Sequence, residues 1–163
     1  MTVFDTIGGL PVHSLVIHVV VVLIPLSAIG AVLITIRPKA LRLFGVATVV
    51  GAGLGTAAAF IAKESGQTLA SRIGVTESHA DLGDTLPIFA LIYFVALVVF
   101  WLYARGVPLN RSRPLWLKVF GALIIVLSVG VSYYTFVTGH SGAEATWSEV
   151  IQGTSLGDGQ KES

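Results

Sequence analysis

Four long apolar stretches separated by polar segments form the main pattern of the chain. They cover residues 10–36, 43–62, 85–104 and 115–137, and Lys118 is the only Asp, Glu, Lys or Arg inside any of them. A helix needs about 20 apolar residues to cross the hydrocarbon core of a bilayer. The pattern therefore predicts four membrane-spanning helices.

The predicted organisation has three parts. Residues 1–9 form a short N-terminal segment, residues 10–142 hold the four spans, and residues 143–163 form a polar tail. The fold class that follows is an all-α membrane protein, a four-helix transmembrane bundle embedded in the lipid bilayer.

Composition agrees with this class and narrows the chemistry. Of the 163 residues, 54% are hydrophobic and only 12% are charged, whereas ordinary soluble domains carry about 25% charged residues. The chain has no cysteine, which excludes disulfides, Fe–S ligation, covalent c-type haem attachment and zinc–thiolate sites. Phosphate loops, nucleophile elbows and dinucleotide fingerprints are absent from the sequence, so it does not decide whether the protein is an enzyme.

The charged residues are divided unevenly between the two sides of the predicted bundle. The connections between spans one and two and between spans three and four, with their borders, hold seven basic residues and no acidic one. They are Arg37, Lys39, Arg42, Arg105, Arg111, Arg113 and Lys118. The other side holds three basic residues and all nine acidic ones. Because cytoplasmic loops carry an excess of Lys and Arg, both termini are predicted to be extracytoplasmic. Basic residues confined to two short loops beside a membrane also argue against nucleic-acid binding.

The four histidines fall in one layer of this topology. His13 and His18 open the first span, His79 opens the third, and His140 closes the fourth. All four are predicted to lie at the outer face of the bundle. Ionisable groups within a membrane domain indicate function more often than packing, so we expect a shared ligand site in this layer.

The first two histidines cannot both face the bundle axis. At 100° per residue, His13 and His18 point about 140° apart around the helix. His18 lies about 7.5 Å deeper and is flanked by Val and Ile. We therefore expect His18, His79 and His140 to converge, with His13 as a peripheral second ligand or a helix cap.

Small residues repeat along one face of the second span. Ala47, Gly51, Gly55 and Ala59 recur every four residues, and such faces let two helices approach closely in lipid. A packing contact is the first interpretation. The second is that the face leaves room for a flat cofactor.

Three motifs resemble one known family. The stretch from Leu10 to His18, with Pro11 and His13, resembles the opening motif of DUF2231, a family of small bacterial four-helix membrane proteins. His79-Ala80-Asp81-Leu82-Gly83 and Thr138-Gly139-His140-Ser141-Gly142 resemble the two later motifs of that family. The resemblance extends over about residues 8–147.

The first motif departs from the family pattern. The family usually has proline after the first histidine and Phe-Pro after the second, whereas this chain has Ser14 and then Val19-Val20, with the next proline at Pro25. The resemblance implies a multi-pass protein of the bacterial cytoplasmic membrane. Because some members are joined to Rieske-type or cytochrome-like domains, it also implies a redox setting.

Two kinds of bound ligand fit the predicted site. Imidazoles on facing helices of a four-helix bundle are a common axial-ligand arrangement for b-type haem, and electrons could then pass to a quinone or an extracytoplasmic redox protein. Alternatively, His18, His79 and His140, with Glu64 or Asp81, form a nitrogen and oxygen ligand set for Zn, Fe or Cu(II).

A third interpretation needs no ligand. The histidines would then be interfacial hydrogen-bonding residues of a structural subunit in a larger membrane complex or a homo-oligomer. The sequence favours a redox cofactor slightly over a bare metal ion and leaves all three interpretations open.

Overall fold

The computed structural model of the chain describes residues 5–74 and 76–154, except for the side chains of Ile73 and Glu149. Within these residues a short antiparallel hairpin precedes four helices. The elements are β1 (Thr6–Ile7), β2 (Leu10–Pro11), α1 (Val12–Ile36), α2 (Pro38–Ile73), α3 (Glu77–Arg105) and α4 (Leu115–Gly153). All four helices are long and apolar enough to cross a membrane, which confirms the predicted all-α four-helix membrane architecture.

Two of the helices are longer than a membrane span. α2 holds 36 residues and α4 holds 39, which corresponds to roughly 54 and 58 Å at 1.5 Å per residue. The hydrocarbon core is only about 30 Å thick. Both helices continue beyond the predicted spans into polar sequence. α2 ends at Ile73, and Gly74 follows it with a φ of 77°, a positive value that glycine adopts readily because it has no Cβ atom.

The helices form a closed bundle. Each one packs against the next along the chain, and α4 also packs against α1. One stripe of each helix is buried, and the largest fully buried side chains include Ile24, Ile34, Tyr93, Phe100 and Ile124. The opposite faces expose many Leu, Val, Ile and Phe side chains, as expected for surfaces that meet lipid.

The small-residue face of α2 is a helix contact. A Cβ atom on Gly55 would lie 2.9 Å from Cγ1 of Ile24 and 3.3 Å from its backbone nitrogen, and one on Gly51 would lie 3.9 Å from Ser27. A side chain at Gly55 would therefore separate α1 from α2, whereas a Cβ atom at Gly51 would be in ordinary van der Waals contact. The packing interpretation is therefore confirmed for the two glycines, whereas Ala47 is exposed.

Buried hydroxyl groups in the middle of the bundle find partners inside the protein. Thr56 Oγ1 donates to the backbone oxygen of Ala52 at 2.8 Å and lies 3.2 Å from that of Ala90. The Tyr93 hydroxyl donates to Ser27 Oγ at 3.4 Å. Such internal bonding is needed because the bilayer core offers no water to polar groups.

An arginine links the connection between α3 and α4 to the last turn of α1. Arg113, in the segment between α3 and α4, donates from Nη2 to the backbone oxygen of Ile34 at 3.0 Å and from Nη1 to that of Thr35. Its guanidinium also lies 5.4 Å from the centre of the Phe100 ring. Burial lowers the pKa of Arg113, although arginine stays protonated in proteins. The side chain thus satisfies free carbonyls at the C-terminus of α1.

The hairpin and the long ends of α2 and α4 lie at the other end. Gly8 and Gly9, with φ values of 60° and 83°, form the two-residue turn of the hairpin. The carboxylate of Asp5 pairs with the guanidinium of Arg72 on α2, and its backbone oxygen accepts a hydrogen bond from Val12 N at 3.1 Å. The start of α1 is therefore tied to the end of α2. We call this the hairpin end of the bundle, and the opposite one the basic end.

Candidate functional site

The first imidazole of the candidate site belongs to His13, in the first turn of α1. Its Nδ1 lies 2.8 Å from the backbone oxygen of Ala62 on α2, and the ring is partly buried. Gly66, one turn further along α2, provides the space for the ring, because a Cβ atom there would lie 3.1 Å from both Cε1 and Nδ1 of His13.

The second imidazole belongs to His79, in the first turn of α3. Its Nδ1 lies 2.9 Å from Ser141 Oγ on α4, and the ring is again partly buried. Gly142 provides the space in this case, because a Cβ atom there would lie 2.8 Å from Cε1 of His79. Each histidine is thus held by a neighbouring helix through a hydrogen bond and a glycine.

The two rings meet each other at the hairpin end of the bundle. Their centres are 6.4 Å apart and their planes are inclined by 81°. Residues from all four helices surround this pair: His13 from α1, Ala62 and Gly66 from α2, His79 from α3, and Ser141 and Gly142 from α4. We refer to His13 and His79 as the imidazole pair.

The hydrogen-bond partner of Nδ1 constrains the tautomer of His13 more strongly than that of His79. A carbonyl oxygen can only accept, so Nδ1 of His13 must donate its proton to Ala62. Ser141 Oγ lies 2.9 Å from both the backbone oxygen of Thr138 and Nδ1 of His79. When the hydroxyl donates to Thr138, it accepts from Nδ1–H of His79, and the lone pair of each neutral ring then lies on Nε2. A backbone or hydroxyl partner on one ring nitrogen is the usual support of a histidine whose other nitrogen binds a metal.

The buried stripe of α1 explains why His13 is part of the pair. The stripe contains Ser27 and Val20 at a spacing of seven residues, and a further step of seven reaches His13. His18 lies off this stripe and is exposed, with its Nδ1 2.6 Å from the backbone oxygen of Ser14 in its own helix. The structure directs His13 rather than His18 toward the interior of the bundle, the reverse of the expected arrangement.

His140 also lies away from the pair. Its ring is exposed and stacks on Phe136 of the same helix, with centres 6.0 Å apart. The expected convergence of His18, His79 and His140 is therefore corrected: of these three, only His79 contacts another histidine in the described part of the chain. The physical reason is that the outward faces of α1 and α4 carry His18 and His140.

The two candidate carboxylates do not join the imidazole pair. Glu64 and Asp81 are both exposed. Among residues 5–74 and 76–154, no group of three or more His, Asp or Glu side chains is arranged to hold a metal ion. Asp84 has a different role, because it pairs with Lys63 at 3.5 Å and accepts a hydrogen bond from Gln67 at 3.3 Å, linking α3 to α2.

Sequence reasoning missed the residues that hold the rings. Ser141 and Gly142 directly follow His140 in the third motif, and they contact His79 although His140 does not. Gly66, which gives space to His13, was likewise not among the predicted site residues. Heptad steps along the buried face of α4 would have found Gly142, which lies seven residues after the buried Thr135.

Comparison with known proteins identifies one family. A family model described as a predicted membrane protein (DUF2231) matches residues 9–155. Neither the curated proteins nor the solved structures include a significant match. The match covers most of the chain, contains the whole imidazole pair and confirms the resemblance seen in the three motifs.

Proposed function

The chain belongs to DUF2231, a family of predicted membrane proteins, and we propose that this multi-pass membrane protein binds a transition metal ion at the imidazole pair. One observation carries the proposal. The rings of His13 and His79 lie with their centres 6.4 Å apart, and the Nδ1 atom of each is within hydrogen-bond distance of a protein oxygen, so Nε2 is the nitrogen of each ring that would bind the ion. Imidazole nitrogen suits Zn, Cu(II) and Fe.

The spacing of the two rings supports a shared ion. With metal–nitrogen bonds of about 2.0–2.1 Å, two imidazoles on one ion have ring centres roughly 5 Å apart at a tetrahedral angle and roughly 6.5 Å apart when they are trans. The observed 6.4 Å lies at the upper end of this range. Water or a partner molecule would supply the remaining ligands, and the ion would serve as a Lewis acid or, if it is Fe or Cu, as an electron carrier.

Haem b is the second candidate, because the ring spacing is that of two trans axial imidazoles. The room around the rings favours the smaller ligand. Gly66 and Gly142 are filled by the imidazoles themselves, at 3.1 Å and 2.8 Å from the Cβ positions, and Gly51 and Gly55 are filled by α1. The bare ion is therefore preferred to a porphyrin.

The orientation of the protein is a further element of this proposal. Seven Lys and Arg residues lie at the basic end, against Lys63 and Arg72 among the described residues of the hairpin end, and this excess supports a cytoplasmic basic end. The imidazole pair would then lie at the extracytoplasmic side of a bacterial cytoplasmic membrane. A redox-active metal or haem in that layer could exchange electrons with a quinone or an extracytoplasmic redox protein.

Metal and optical analysis of the purified full-length protein test the proposal together. We expect about one Zn, Fe or Cu per chain after exposure to the ions and removal of excess. His13→Ala and His79→Ala should each lose most of it, whereas His18→Ala and His140→Ala, which remove exposed histidines, should retain it. A Soret band that disappears in the first two variants would support haem instead.

Two outcomes would overturn the metal proposal. One is no stoichiometric uptake by the parent protein. The other is equal loss in all four variants, which would indicate adventitious binding to histidines. If neither a metal nor a Soret band is found, the structural-subunit interpretation remains.

A further inference from the structure

The seven basic residues at the basic end divide into two groups. Arg105 and Arg113 have partners in the protein: the guanidinium of Arg105 lies 4.7 Å from the centre of the Trp101 ring, and that of Arg113 binds the C-terminus of α1. The side chains of the other five form no hydrogen bond or ion pair with any described residue. They are Arg37, Lys39, Arg42, Arg111 and Lys118. Both ion pairs in residues 5–74 and 76–154 lie at the hairpin end.

The helix dipoles add to this positive charge. α2 and α4 both begin at the basic end, and neither has an acidic residue in its first turn. Acidic side chains stabilise the N-terminus of a helix, because the helix dipole is positive there, and basic side chains destabilise it. Lys39 and Lys118 nevertheless lie in these first turns. An anion from outside the protein would relieve both effects.

A groove at this end connects the positive charge to the membrane-spanning surface. It has a volume of about 390 Å³ and runs between α1 and α4. Ser112, Arg113 and Lys118 line its polar part, and Leu117, Ala122 and Ile125 line its apolar part along α4. Thr35 also lines the groove, and its buried hydroxyl has no hydrogen-bond partner among the described residues.

We propose that the α1–α4 groove binds one anionic phospholipid. Its phosphate would lie near Lys118 and Ser112, and one acyl chain would follow Leu117 and Ile125 along α4. A lipid fits better than a soluble phosphate because the groove passes from a polar part into an apolar wall on a membrane-spanning helix. Basic pockets between transmembrane helices bind anionic head groups in this way. The inference does not depend on the imidazole pair.

The head-group part is tested by lipid competition. The full-length protein is purified in detergent, and retention of phosphatidylglycerol and phosphatidylcholine with matched acyl chains is measured by native mass spectrometry. The parent should prefer phosphatidylglycerol. Lys118→Gln should weaken its retention by about fivefold, the factor that one basic residue contributes near anionic lipid. Arg42→Gln is the matched control, because Arg42 lies at the same end but lines no part of this groove.

The acyl-chain part is tested by filling the groove. Ala122→Trp should lower retention of both lipids, because Ala122 lines the groove and is exposed. Val126→Trp is its control, since Val126 is 66% exposed one turn further along and outside the groove. Inorganic phosphate at millimolar concentration should not displace the lipid. Thermal unfolding of each variant separates lipid loss from misfolding.

Three results would overturn the proposal. They are equal retention of the two lipids by the parent, equal effects of Lys118→Gln and Arg42→Gln, and equal effects of the two tryptophan substitutions. Displacement by inorganic phosphate alone would reassign the site to a soluble anion. The metal content of the same samples is expected to be unchanged, so this test and the test of the imidazole pair can fail separately.

Discussion

The backbone of Gly142 lies against the ring of His79, so closely that a Cβ atom at residue 142 would be 2.8 Å from Cε1 and 3.3 Å from Nε2 of the imidazole. Real Cβ atoms do not approach other heavy atoms this closely. α4 therefore fixes one side of His79 with a glycine and the other with the Ser141 hydroxyl. The position of this ring depends on two consecutive residues of another helix.

The first prediction is that Gly142→Ala displaces His79. Overpacking of this kind typically costs about 1–3 kcal/mol, more than the roughly 0.5–1 kcal/mol gained from replacing a helical glycine. We expect a lower thermal midpoint and weaker metal retention. Gly130→Ala in the same helix is the control, because a Cβ there meets nothing within 4 Å. Parent-like midpoint and metal content in Gly142→Ala would show that the ring is free to move.

The sequence does not determine which histidines meet. The positions of the four histidines along the chain were enough to predict an ionisable layer at one end of the bundle. Which imidazoles face each other depends on how each helix is rotated about its axis. The apolar residues that flank His18 do not indicate this rotation, because apolar residues suit both the bundle core and the lipid-facing surface. Small and polar residues within a span indicate its inward face more clearly. In α1 the buried Ser27 lies on this face, and two steps of seven residues toward the N-terminus lead from it to His13.

The fold was predictable because it depends on simpler quantities. Apolar length alone gives the four helices, and the spacing of Gly51 and Gly55 gives a close contact. The partner of that contact was not predictable, since any helix could have filled the face. The hydrogen bonds from Arg113 to the carbonyls of Ile34 and Thr35 could not be predicted either. The positive-inside rule counts an arginine as a charge and says nothing about its hydrogen-bond partners.

The second prediction concerns the contact between α1 and α2. Gly55→Leu should prevent normal folding, because the new side chain would meet the backbone nitrogen of Ile24, which cannot move without displacing α1. Gly130→Leu, at an open position on α4, should be tolerated. Size-exclusion profiles and yields of the detergent-extracted proteins provide the measurement. A monodisperse Gly55→Leu protein with the midpoint of the parent would contradict the close contact.

The third prediction concerns the arginine at the basic end. Arg113→Gln removes charge-assisted hydrogen bonds to the C-terminus of α1, and we expect a loss of about 1–3 kcal/mol in the free energy of unfolding. Arg113→Lys should recover only part of it, since an ammonium group cannot reproduce the planar fork. Arg111→Gln, in the same connection but exposed, should change stability by less than about 0.5 kcal/mol. Similar losses of unfolding free energy in Arg113→Gln and Arg111→Gln would contradict a stabilising role for the hydrogen bonds of Arg113.

The fourth prediction concerns orientation in the membrane. Reporter fusions after Ala40 and Asn110, in the two basic connections, should be cytoplasmic, and a fusion after Gly157 should be extracytoplasmic. The reason is the excess of Lys and Arg at the basic end. A cytoplasmic reporter after Gly157 would place the imidazole pair on the cytoplasmic side. The ligand chemistry of the pair would be unchanged, but its proposed extracytoplasmic redox partners would be ruled out.

The last prediction is that metal binding at the imidazole pair is lost on acidification. An imidazole must be neutral to bind a metal ion, and its ordinary pKa is about 6.5. Protons and metal therefore compete for Nε2 of His13 and of His79. Retention at a fixed metal concentration should therefore fall as the pH is lowered. Because two rings are involved, the apparent dissociation constant should rise by up to about a hundredfold per pH unit in the acid limit, and only about tenfold if one imidazole binds. Equilibrium dialysis at several pH values distinguishes the two slopes. His18→Ala should follow the parent curve, and an apparent dissociation constant that does not change from about pH 8 to about pH 5 would exclude imidazole ligation.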